Sequence, residues 1–200
     1  MLDGLLRRVV DPPLDRIAKW LAPLGVSANT LTWTGFAVGI GALPAIAAEH
    51  YVVGLFLILV NRLMDGLDGA VARCSSPTDR GAYLDIVCDF IFYSAVVFGF
   101  ALARSTNATA GAFLIFSFIG TGTSFLAFAT VAAKLSLTTK ARGAKSIYYL
   151  GGLTEGTETI LAFVIFCLAP VSFPIGAFIF GALCWITTAS RISIAARTFS

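Results

Sequence analysis

Residues 65–89 read DGLDGAVARCSSPTDRGAYLDIVCD and carry, within a strongly apolar chain, two pairs of aspartates, Asp65 with Asp68 and Asp85 with Asp89. Each carboxylate costs roughly 2.5–3.5 kcal/mol at the centre of a bilayer. Such a cluster is tolerated only if something neutralises it, and hard divalent cations, which prefer oxygen ligands, can do so. The stretch therefore predicts a metal site inside membrane-embedded helices.

The spacing of the aspartates predicts that they face one another across a helical hairpin. Asp65 and Asp68 are three residues apart, and Asp85 and Asp89 are four apart. Each pair therefore shares one helix face. The two pairs flank a short turn centred near Pro77, and residues equidistant from such a turn meet in an antiparallel hairpin. We expect the four carboxylates to converge between the two helices.

Ion pairing is the alternative explanation for the aspartate cluster, because Arg62, Arg73 and Arg80 lie nearby in the sequence. Ion pairing alone does not account for the glycines that accompany the aspartates. Glycine removes a side chain where a ligand or another backbone must approach closely, so its presence favours a bound ligand. The glycines concerned are Gly66, Gly69 and Gly81.

The composition is that of an integral membrane protein. Of the 200 residues, 58% are hydrophobic and 12% are charged. A soluble domain is nearer 45–50% apolar and about 25% charged. The net charge of +3 reflects basic residues beside the membrane, so binding to nucleic acid is not expected. We expect residues 1–200 to form a single membrane domain.

Six segments are long and apolar enough to cross the hydrocarbon core, which needs about 20 residues. We therefore predict an all-α integral membrane protein. Residues 28–200 form a bundle of six transmembrane helices in this prediction, and residues 1–27 hold an amphipathic interfacial helix. The predicted spans are 29–48, 51–73, 81–103, 110–134, 149–171 and 173–192.

The interfacial helix is predicted from leucines and an isoleucine that recur at helical spacing, with charged residues off that stripe. Pro12 and Pro13 mark its expected start. Such a helix lies on the inner leaflet with its apolar face in the lipid. The stripe consists of Leu14, Ile17, Leu21 and Leu24.

The basic residues predict the orientation of the chain in the membrane. If the N-terminus is cytoplasmic, 13 of the 14 Lys and Arg residues fall on the cytoplasmic side, and Arg104 falls outside. The opposite orientation places nearly all of them on the wrong side. We therefore predict a multi-pass protein of the cell inner (cytoplasmic) membrane whose active site faces the cytoplasm.

The run from Asp65 to Arg73, followed by Gly81, Asp85 and Asp89 with three residues between each, resembles the signature of the CDP-alcohol phosphatidyltransferases. The resemblance extends over the whole chain, since the length, the six spans and the interfacial helix also fit. Its motif positions are densest between the first and the third predicted span.

Residues 27–32, SANTLT, are similar to the start of the first span in this family. Two features depart from the family pattern. Seven residues separate Arg73 from Gly81 where the family usually has eight, which alters the turn between the helices. Ala28 stands where the family usually has proline.

The resemblance implies phospholipid synthesis by metal-dependent phosphatidyl transfer. An acceptor hydroxyl attacks the β-phosphorus of CDP-diacylglycerol, CMP leaves, and a phosphodiester lipid forms. Two divalent cations, Mg²⁺ or Mn²⁺, would hold the diphosphate oxygens and neutralise charge in the transition state.

The resemblance also assigns roles to individual residues. Asp65, Asp68 and Asp85 would be the main metal ligands. Asp89 would act as the general base on the acceptor hydroxyl and would also contact one metal. The residues implied in binding the CDP-lipid are Asp65, Gly69, Ala72, Arg73 and Gly81.

The acceptor pocket is expected in the last three spans. Glycerol 3-phosphate is the first prediction for the acceptor; inositol phosphate and the unphosphorylated alcohols inositol and serine are alternatives. Arg191, with Lys140 or Arg142, would bind a phosphate on the acceptor. Topogenic charge and snorkelling to lipid head groups explain these residues as well. Glu155 and Glu158 share one face and would bind the acceptor, order the metal site or form a structural pair.

Membrane lipids and a second copy of the chain complete the predicted partners. The homodimer is implied by the resemblance, and small residues in two spans would permit close helix contacts. A divalent-cation transporter is the alternative class, since intramembrane carboxylates also mark ion pathways. Against it, the four aspartates lie near one leaflet. The small residues are Gly99, Gly111, Gly120 and Gly122.

Overall fold

The computed structural model describes residues 3–75, 77–135, 137 and 152–199. The secondary structure within these residues is helical, with eight α-helices that are joined by turns and by short 3-10 segments. The helices are α1 (Asp3–Leu21), α2 (Ala28–Ile40), α3 (Ala42–Ala47), α4 (Tyr51–Cys74), α5 (Asp79–Ala103), α6 (Ala108–Lys134), α7 (Gly156–Leu168) and α8 (Phe173–Thr198).

The chain is a multi-pass membrane protein, since four described stretches are long and apolar enough to cross a membrane. α4 is long enough, with 24 residues, but it carries Arg62 and the first two aspartates of the cluster. α7 has 13 residues, about 20 Å of helix against a hydrocarbon core of about 30 Å. The predicted six-span count therefore stays a prediction. The four stretches are Ala28–Ala47, Asp79–Ala103, Ser105–Lys134 and Pro170–Thr198.

The first predicted span consists of two helices, α2 and α3, which meet at Gly41. Ser27 starts α2 as its N-cap, and its side-chain oxygen accepts a hydrogen bond from the backbone N–H of Thr30 at 3.1 Å. Pro44 explains the break, because a proline ring clashes with the carbonyl four residues earlier. That carbonyl belongs to Ile40, the last residue of α2.

α1 begins earlier than the sequence suggested. It runs from Asp3 and contains Pro12 and Pro13 in its interior, so the prediction that these prolines start the helix was wrong. Proline removes one backbone donor and perturbs a helix locally, yet the helical path continues through both residues here.

α1 packs against α4 through Leu14 and Ala18, which join a small apolar cluster with residues of α2 and α4. The predicted stripe is therefore divided between two environments. Leu14 is buried in the protein, whereas Ile17 and Leu24 are exposed, together with Trp20 at 81%. An apolar surface on the side of α1 away from the protein is typical of an interfacial helix.

The main core lies among α3 to α8 and is rich in aromatic rings. Phe100 of α5 stacks on Phe173 of α8, with ring centroids 4.6 Å apart. Phe92 of α5 meets Phe163 of α7 edge-on at 6.5 Å. These contacts fix α5, and with it the side of the helical hairpin that carries the second pair of aspartates.

An ion pair joins the α3–α4 turn to the α5–α6 turn, at the opposite end of the α4–α5 hairpin from the aspartates. Arg104 donates two hydrogen bonds to Oε2 of Glu49, from Nη2 at 2.5 Å and from Nε at 3.2 Å. Glu49 has a φ of 61°, a left-handed conformation that is uncommon for a residue with a side chain. The hydrogen bond from Arg104 lowers the pKa of the Glu49 carboxyl below its ordinary value.

The small residues expected at a dimer contact are used within the chain. A Cβ atom on any of the four glycines would lie within 3.2 Å of a side-chain or backbone atom of another helix. At Gly122, for example, the Cβ would lie 2.7 Å from the ring of Phe90. The homodimer remains a prediction, without these glycines as support.

Candidate active site

α4 and α5 bring three of the four aspartates together. One carboxylate oxygen from each of Asp65, Asp68 and Asp85 lies within 4.8 Å of the other two. α5 starts at the N-cap Thr78, whose hydroxyl accepts a hydrogen bond from the backbone N–H of Gly81 at 3.1 Å. The capped turn places the first pair of aspartates opposite the second, as their spacing predicts.

A residue of α2 that the sequence reasoning missed completes this cluster. Thr32 donates a hydrogen bond from Oγ1 to Oδ2 of Asp68 at 2.5 Å, and the carboxylate is 5% exposed. The same hydroxyl lies 3.1 Å from the carbonyl oxygen of Ala28 in its own helix. Thr32 is the last residue of the SANTLT segment. The similarity of that segment to the family was the one feature of the sequence that pointed to Thr32.

The fourth aspartate, Asp89, is held by two side chains. Arg62 donates from Nη2 to Oδ1 of Asp89 at 2.7 Å, and Tyr93 donates from its hydroxyl to Oδ2 at 3.2 Å. Arg62 Nη1 also lies 3.5 Å from Oδ2 of Asp65. Ion pairing was the alternative explanation for the cluster, and it applies to Asp89. The other three carboxylates lie together beside this ion pair. A direct contact between Asp89 and a metal stays a prediction.

The carboxylates of Asp65, Asp68 and Asp89 line a small pocket that is open to solvent. Residues from three helices line it, because α2 packs against both α4 and α5. Its walls combine charged groups with the apolar ring of Phe36. The charged and hydroxyl groups are Thr32, Arg62, Asp65, Asp68 and Asp89.

The three motif glycines have different surroundings. A Cβ at Gly66 would lie 2.6 Å from Cδ1 of Leu14, so this glycine admits α1 rather than a ligand. At Gly69 the nearest atom would be Nη1 of Arg73 at 3.6 Å, an ordinary contact distance, so a methyl group fits there without a clash. At Gly81 the nearest atom would be the N-cap hydroxyl of α5 at 3.2 Å, within the turn itself.

Arg73, predicted to contact the diphosphate, lies beside Gly69 and pairs with Asp15 of α1. Its Nη2 donates to Oδ1 of Asp15 at 2.7 Å, and the two side chains are 47% and 43% exposed. Ala72, the neighbouring motif residue, is partly buried. Sequence reasoning did not find Asp15, because it lies on a different helix, 58 residues away from Arg73.

Glu155 and Glu158 form a capping box at the start of α7. Glu158 accepts a hydrogen bond from the backbone N–H of Glu155 at 3.1 Å, and the Glu155 side chain accepts one from the backbone at Glu158. Such a box satisfies backbone donors that the first turn of a helix leaves unpaired. The capping box is a structural use of the pair, and a role in binding the acceptor or in ordering the metal site stays a prediction.

The basic residues predicted for the acceptor fall in two groups. Arg191 is buried on α8 and donates from Nη1 to the carbonyl oxygen of Thr121 at 2.9 Å. Its guanidinium carbon lies 5.5 Å from the centroid of the Phe125 ring. Lys140 and Arg142 lie outside the described residues.

Comparison with known proteins decides the family. Residues 25–192 match the family model for CDP-alcohol phosphatidyltransferase. The chain belongs to the CDP-alcohol phosphatidyltransferase family. This phosphatidyltransferase is therefore an enzyme of phospholipid biosynthesis that transfers a substituted phosphate group, which confirms the class expected from the resemblance.

Two curated relatives of this phosphatidyltransferase differ in how much of it they cover. "Inner membrane protein YnjF" of Escherichia coli (strain K12) is 53% identical over 193 residues, which is 96% of this chain and 94% of that protein. The archaetidylinositol phosphate synthase of Pyrococcus horikoshii is 34% identical over 98 residues, 48% of this chain and 52% of that protein. The second likeness thus spans about half of each protein.

Two solved structures share the fold of this phosphatidyltransferase. The phosphatidylinositol phosphate synthase of Mycobacterium tuberculosis with CDP-DAG bound has a TM-score of 0.70 at 22% identity, over 91% of this chain and 92% of that chain. The same enzyme in complex with manganese and citrate has a TM-score of 0.66 at 22% identity, over 91% and 88%. At this level of identity the likeness shows the fold.

The residues of the cluster fit a divalent cation. Asp65, Asp68 and Asp85 supply hard carboxylate oxygens within 4.8 Å of one another, the donor chemistry that Mg²⁺ and Mn²⁺ prefer. The family depends on divalent cations, so the expected class of cofactor is confirmed.

Proposed function

We propose that this chain transfers a phosphatidyl group from CDP-diacylglycerol to a phosphorylated polyol and releases CMP. The observation that carries the proposal is the set of three carboxylates within 4.8 Å of one another, two of which, Asp65 and Asp68, line a pocket that opens to solvent. The names of the P. horikoshii and M. tuberculosis enzymes favour inositol phosphate as acceptor over glycerol 3-phosphate, the acceptor predicted from the sequence.

Asp65, Asp68 and Asp85 hold two divalent cations, Mg²⁺ or Mn²⁺, in this proposal. The manganese complex of the M. tuberculosis enzyme supports the assignment. When bound, the cations supply positive charge to the diphosphate and to the leaving CMP. The hydrogen bond from Thr32 keeps the carboxylate of Asp68 oriented toward this task.

Asp89 accepts the proton of the acceptor hydroxyl. As that oxygen bonds to the β-phosphorus, the bond between this phosphorus and the bridging oxygen breaks, and CMP departs with the electron pair. A general base must lie within hydrogen-bonding reach of the proton that it removes. The position of Asp89 at the pocket, beside the three gathered carboxylates, supports this role.

The nucleotide lies against Gly69, Ala72 and Gly81. The nearest described atom to a Cβ at Gly69 would be 3.6 Å away, in the Arg73 side chain, and this lack of a tight contact supports the placement. Arg73 binds the diphosphate, and because its ion pair with Asp15 is half-exposed and therefore weak, Arg73 can change partners at small energetic cost. The CDP-DAG complex of the M. tuberculosis enzyme supports the donor assignment.

Arg191 binds the phosphate of the acceptor, together with Lys140 or Arg142. A buried guanidinium is costly in a membrane helix unless it serves a partner or a ligand, which supports the role of Arg191. Glu155 and Glu158 shape the same region by fixing the start of α7.

The proposed topology has six spans, which include α4, with its charged residues, and the segment that contains the short α7. α1 lies on the inner leaflet, and the pocket opens to the cytoplasm. The strong bias of basic residues and the name of the E. coli relative, an inner membrane protein, support this arrangement. We also propose a homodimer, which chemical cross-linking in native membranes tests.

A panel of acceptors tests the function. Purified protein receives CDP-diacylglycerol, Mn²⁺ or Mg²⁺, and one alcohol at a time, namely inositol phosphate, glycerol 3-phosphate, inositol or serine. The lipid product is identified by mass. We expect CMP release that depends on a phosphorylated acceptor and that is abolished in Asp68→Asn. Uptake of Mn²⁺ into sealed vesicles without any CDP-lipid, combined with no lipid product, would instead support a cation transporter.

A further inference from the structure

We infer that Arg62 is a positioning residue for phosphatidyl transfer. It orients the carboxylate of Asp89 toward the acceptor and keeps that carboxylate apart from the three metal-binding aspartates. The inference rests on the proposed function, in which Asp89 takes the proton of the acceptor hydroxyl. Arg62 lies outside the sequence motif, so its role is visible only in the structure.

The guanidinium of Arg62 contacts both ends of the aspartate cluster. Nη2 lies 2.7 Å from Oδ1 of Asp89, and Nη1 lies 3.5 Å from Oδ2 of Asp65. Nη1 also donates to the hydroxyl of Tyr93 at 3.3 Å, and this hydroxyl in turn donates to Asp89. One positive group thus separates a metal ligand from the base and reduces the repulsion between them.

The orientation of Arg62 is itself fixed from two directions. Its Nε donates to Oδ1 of Asn61 at 2.8 Å, and the buried Asn61 donates from Nδ2 to the carbonyl oxygen of Gly35 on α2 at 2.9 Å. The guanidinium carbon lies 4.8 Å from the centroid of the Phe92 ring. Each nitrogen of the planar fork therefore has a partner, and the plane has little freedom to turn.

The two oxygens of Asp89 are constrained together. Arg62 bonds Oδ1 and Tyr93 bonds Oδ2, so the plane of the carboxylate is set from both sides. A carboxylate has about four acceptor sites, so two such bonds leave it able to accept a substrate hydroxyl. This is the geometry that a base needs, since a misplacement of about 1 Å can lower a rate about 100-fold.

The depth of Arg62 argues against a purely structural pair. It lies near the middle of the 24-residue α4, with 17% of its side chain exposed. A charged residue at such a depth is expensive, and an apolar pair of similar volume commonly serves stability as well or better. A role for Arg62 in the active site explains why a charged residue is present at this position.

The test compares Arg62→Met and Arg62→Lys with the matched control Arg104→Lys, which alters an arginine–carboxylate pair at the other end of α4 and α5. Steady-state kinetics give kcat and the KM for CDP-diacylglycerol, and electron paramagnetic resonance gives the Kd for Mn²⁺. We expect kcat to fall about 100-fold in Arg62→Met and about 10-fold in Arg62→Lys. We expect KM and the Kd for Mn²⁺ to change less than about threefold. The control should keep its kcat.

If Arg62→Met does not fold, as judged by monodispersity in detergent, Arg62→Lys carries the test because it keeps the charge and the aliphatic stem. An unchanged kcat in Arg62→Lys would overturn the inference. A loss of Mn²⁺ binding as large as the loss of kcat would also overturn it, since Arg62 would then act on the metal ligands.

A double-mutant cycle with Asp89→Asn separates this inference from the proposed function. If Arg62 acts through Asp89, the variant with both substitutions is no slower than Asp89→Asn alone. Additive losses overturn the role of Arg62 while leaving Asp89 as the base. Full activity in Asp89→Asn would show that Asp89 is not the general base, and the proposed function would then fail.

Discussion

Thr32 of α2 donates a hydrogen bond to the Asp68 carboxylate of α4 at 2.5 Å, although the two residues are 36 positions apart in sequence. The bond connects the aspartate cluster to a third helix beyond the hairpin that carries the aspartates. Groups that hydrogen-bond a metal-binding carboxylate orient it, and their loss commonly weakens metal affinity 10–100-fold.

Thr32→Val should therefore weaken Mn²⁺ binding about 10-fold while preserving the shape of the side chain. Titration of Mn²⁺ followed by electron paramagnetic resonance measures this affinity. Thr34→Val is the matched control, because the Thr34 hydroxyl bonds the carbonyl oxygen of Thr30 in its own helix at 2.7 Å. Equal affinities in the two variants would show that the bond to Asp68 has no such role.

Gly66→Ala should destabilise the protein by about 1–3 kcal/mol, less the gain of up to about 1 kcal/mol in helix propensity. The new Cβ would lie 2.6 Å from a methyl group of Leu14, which is 5% exposed and has little room to move. Thermal unfolding in detergent measures the change. Leu14→Ala removes the clashing methyl group, so adding Gly66→Ala to Leu14→Ala should lower the melting temperature less than Gly66→Ala lowers it in wild type. An equal loss in the two backgrounds would contradict the assignment.

Gly69→Ala should weaken substrate binding and leave the stability of the protein unchanged or slightly higher. The nearest atom to its Cβ would be 3.6 Å away, so the folded chain accommodates the methyl group. We expect the melting temperature to stay the same or rise and the KM for CDP-diacylglycerol to increase several-fold. A wild-type KM would indicate that the nucleotide does not lie against this face.

Asp15→Asn should lower the KM for CDP-diacylglycerol. Arg73 must leave Asp15 to reach the diphosphate, and a half-exposed pair contributes up to about 1 kcal/mol, which corresponds to at most about a fivefold change in KM. Asp11→Asn makes the same charge change one helical turn earlier and serves as the control. A KM that rises in Asp15→Asn, with no change in the control, would contradict this exchange of partners.

The pair formed by Glu49 and Arg104 predicts a dependence of stability on pH. The pKa of Glu49 is lowered in the folded protein, so the pair contributes fully above the ordinary value of 4.5. The contribution is lost as the pH falls through the lower folded pKa. The difference in melting temperature between wild type and Glu49→Gln should therefore be constant near neutral pH and shrink below about pH 4.5. A difference that grows on acidification would contradict the assignment.

The convergence of Asp65, Asp68 and Asp85 could be predicted from the sequence, because helical periodicity and a short turn leave few arrangements for residues at those spacings. The contacts of Thr32 with Asp68 and of Asp15 with Arg73 could not. They depend on how α1 and α2 pack against α4, and that packing is set by the full tertiary structure rather than by any local pattern.

Asp89 shows why residue spacing alone is insufficient. Its distance from the turn predicts a meeting with Asp65, and the partly buried Arg62 contacts both carboxylates. The sequence identified Arg62 as an available cation without showing which carboxylate it contacts. The sequence also could not show the role of Gly66, because that role depends on a contact with a different helix. Leu14 of α1 occupies the space that a ligand was expected to fill.

The most direct test of the metal-dependent mechanism is the rate of acceptor-dependent CMP release from CDP-diacylglycerol as a function of free Mn²⁺, in wild type and in Asp68→Asn. We predict no release after exhaustive chelation, recovery when Mn²⁺ is restored to wild type, and no recovery in Asp68→Asn at the same concentration. Release that continues without divalent cations, or that is equal in the two proteins, would contradict the claim that these aspartates hold the catalytic cations.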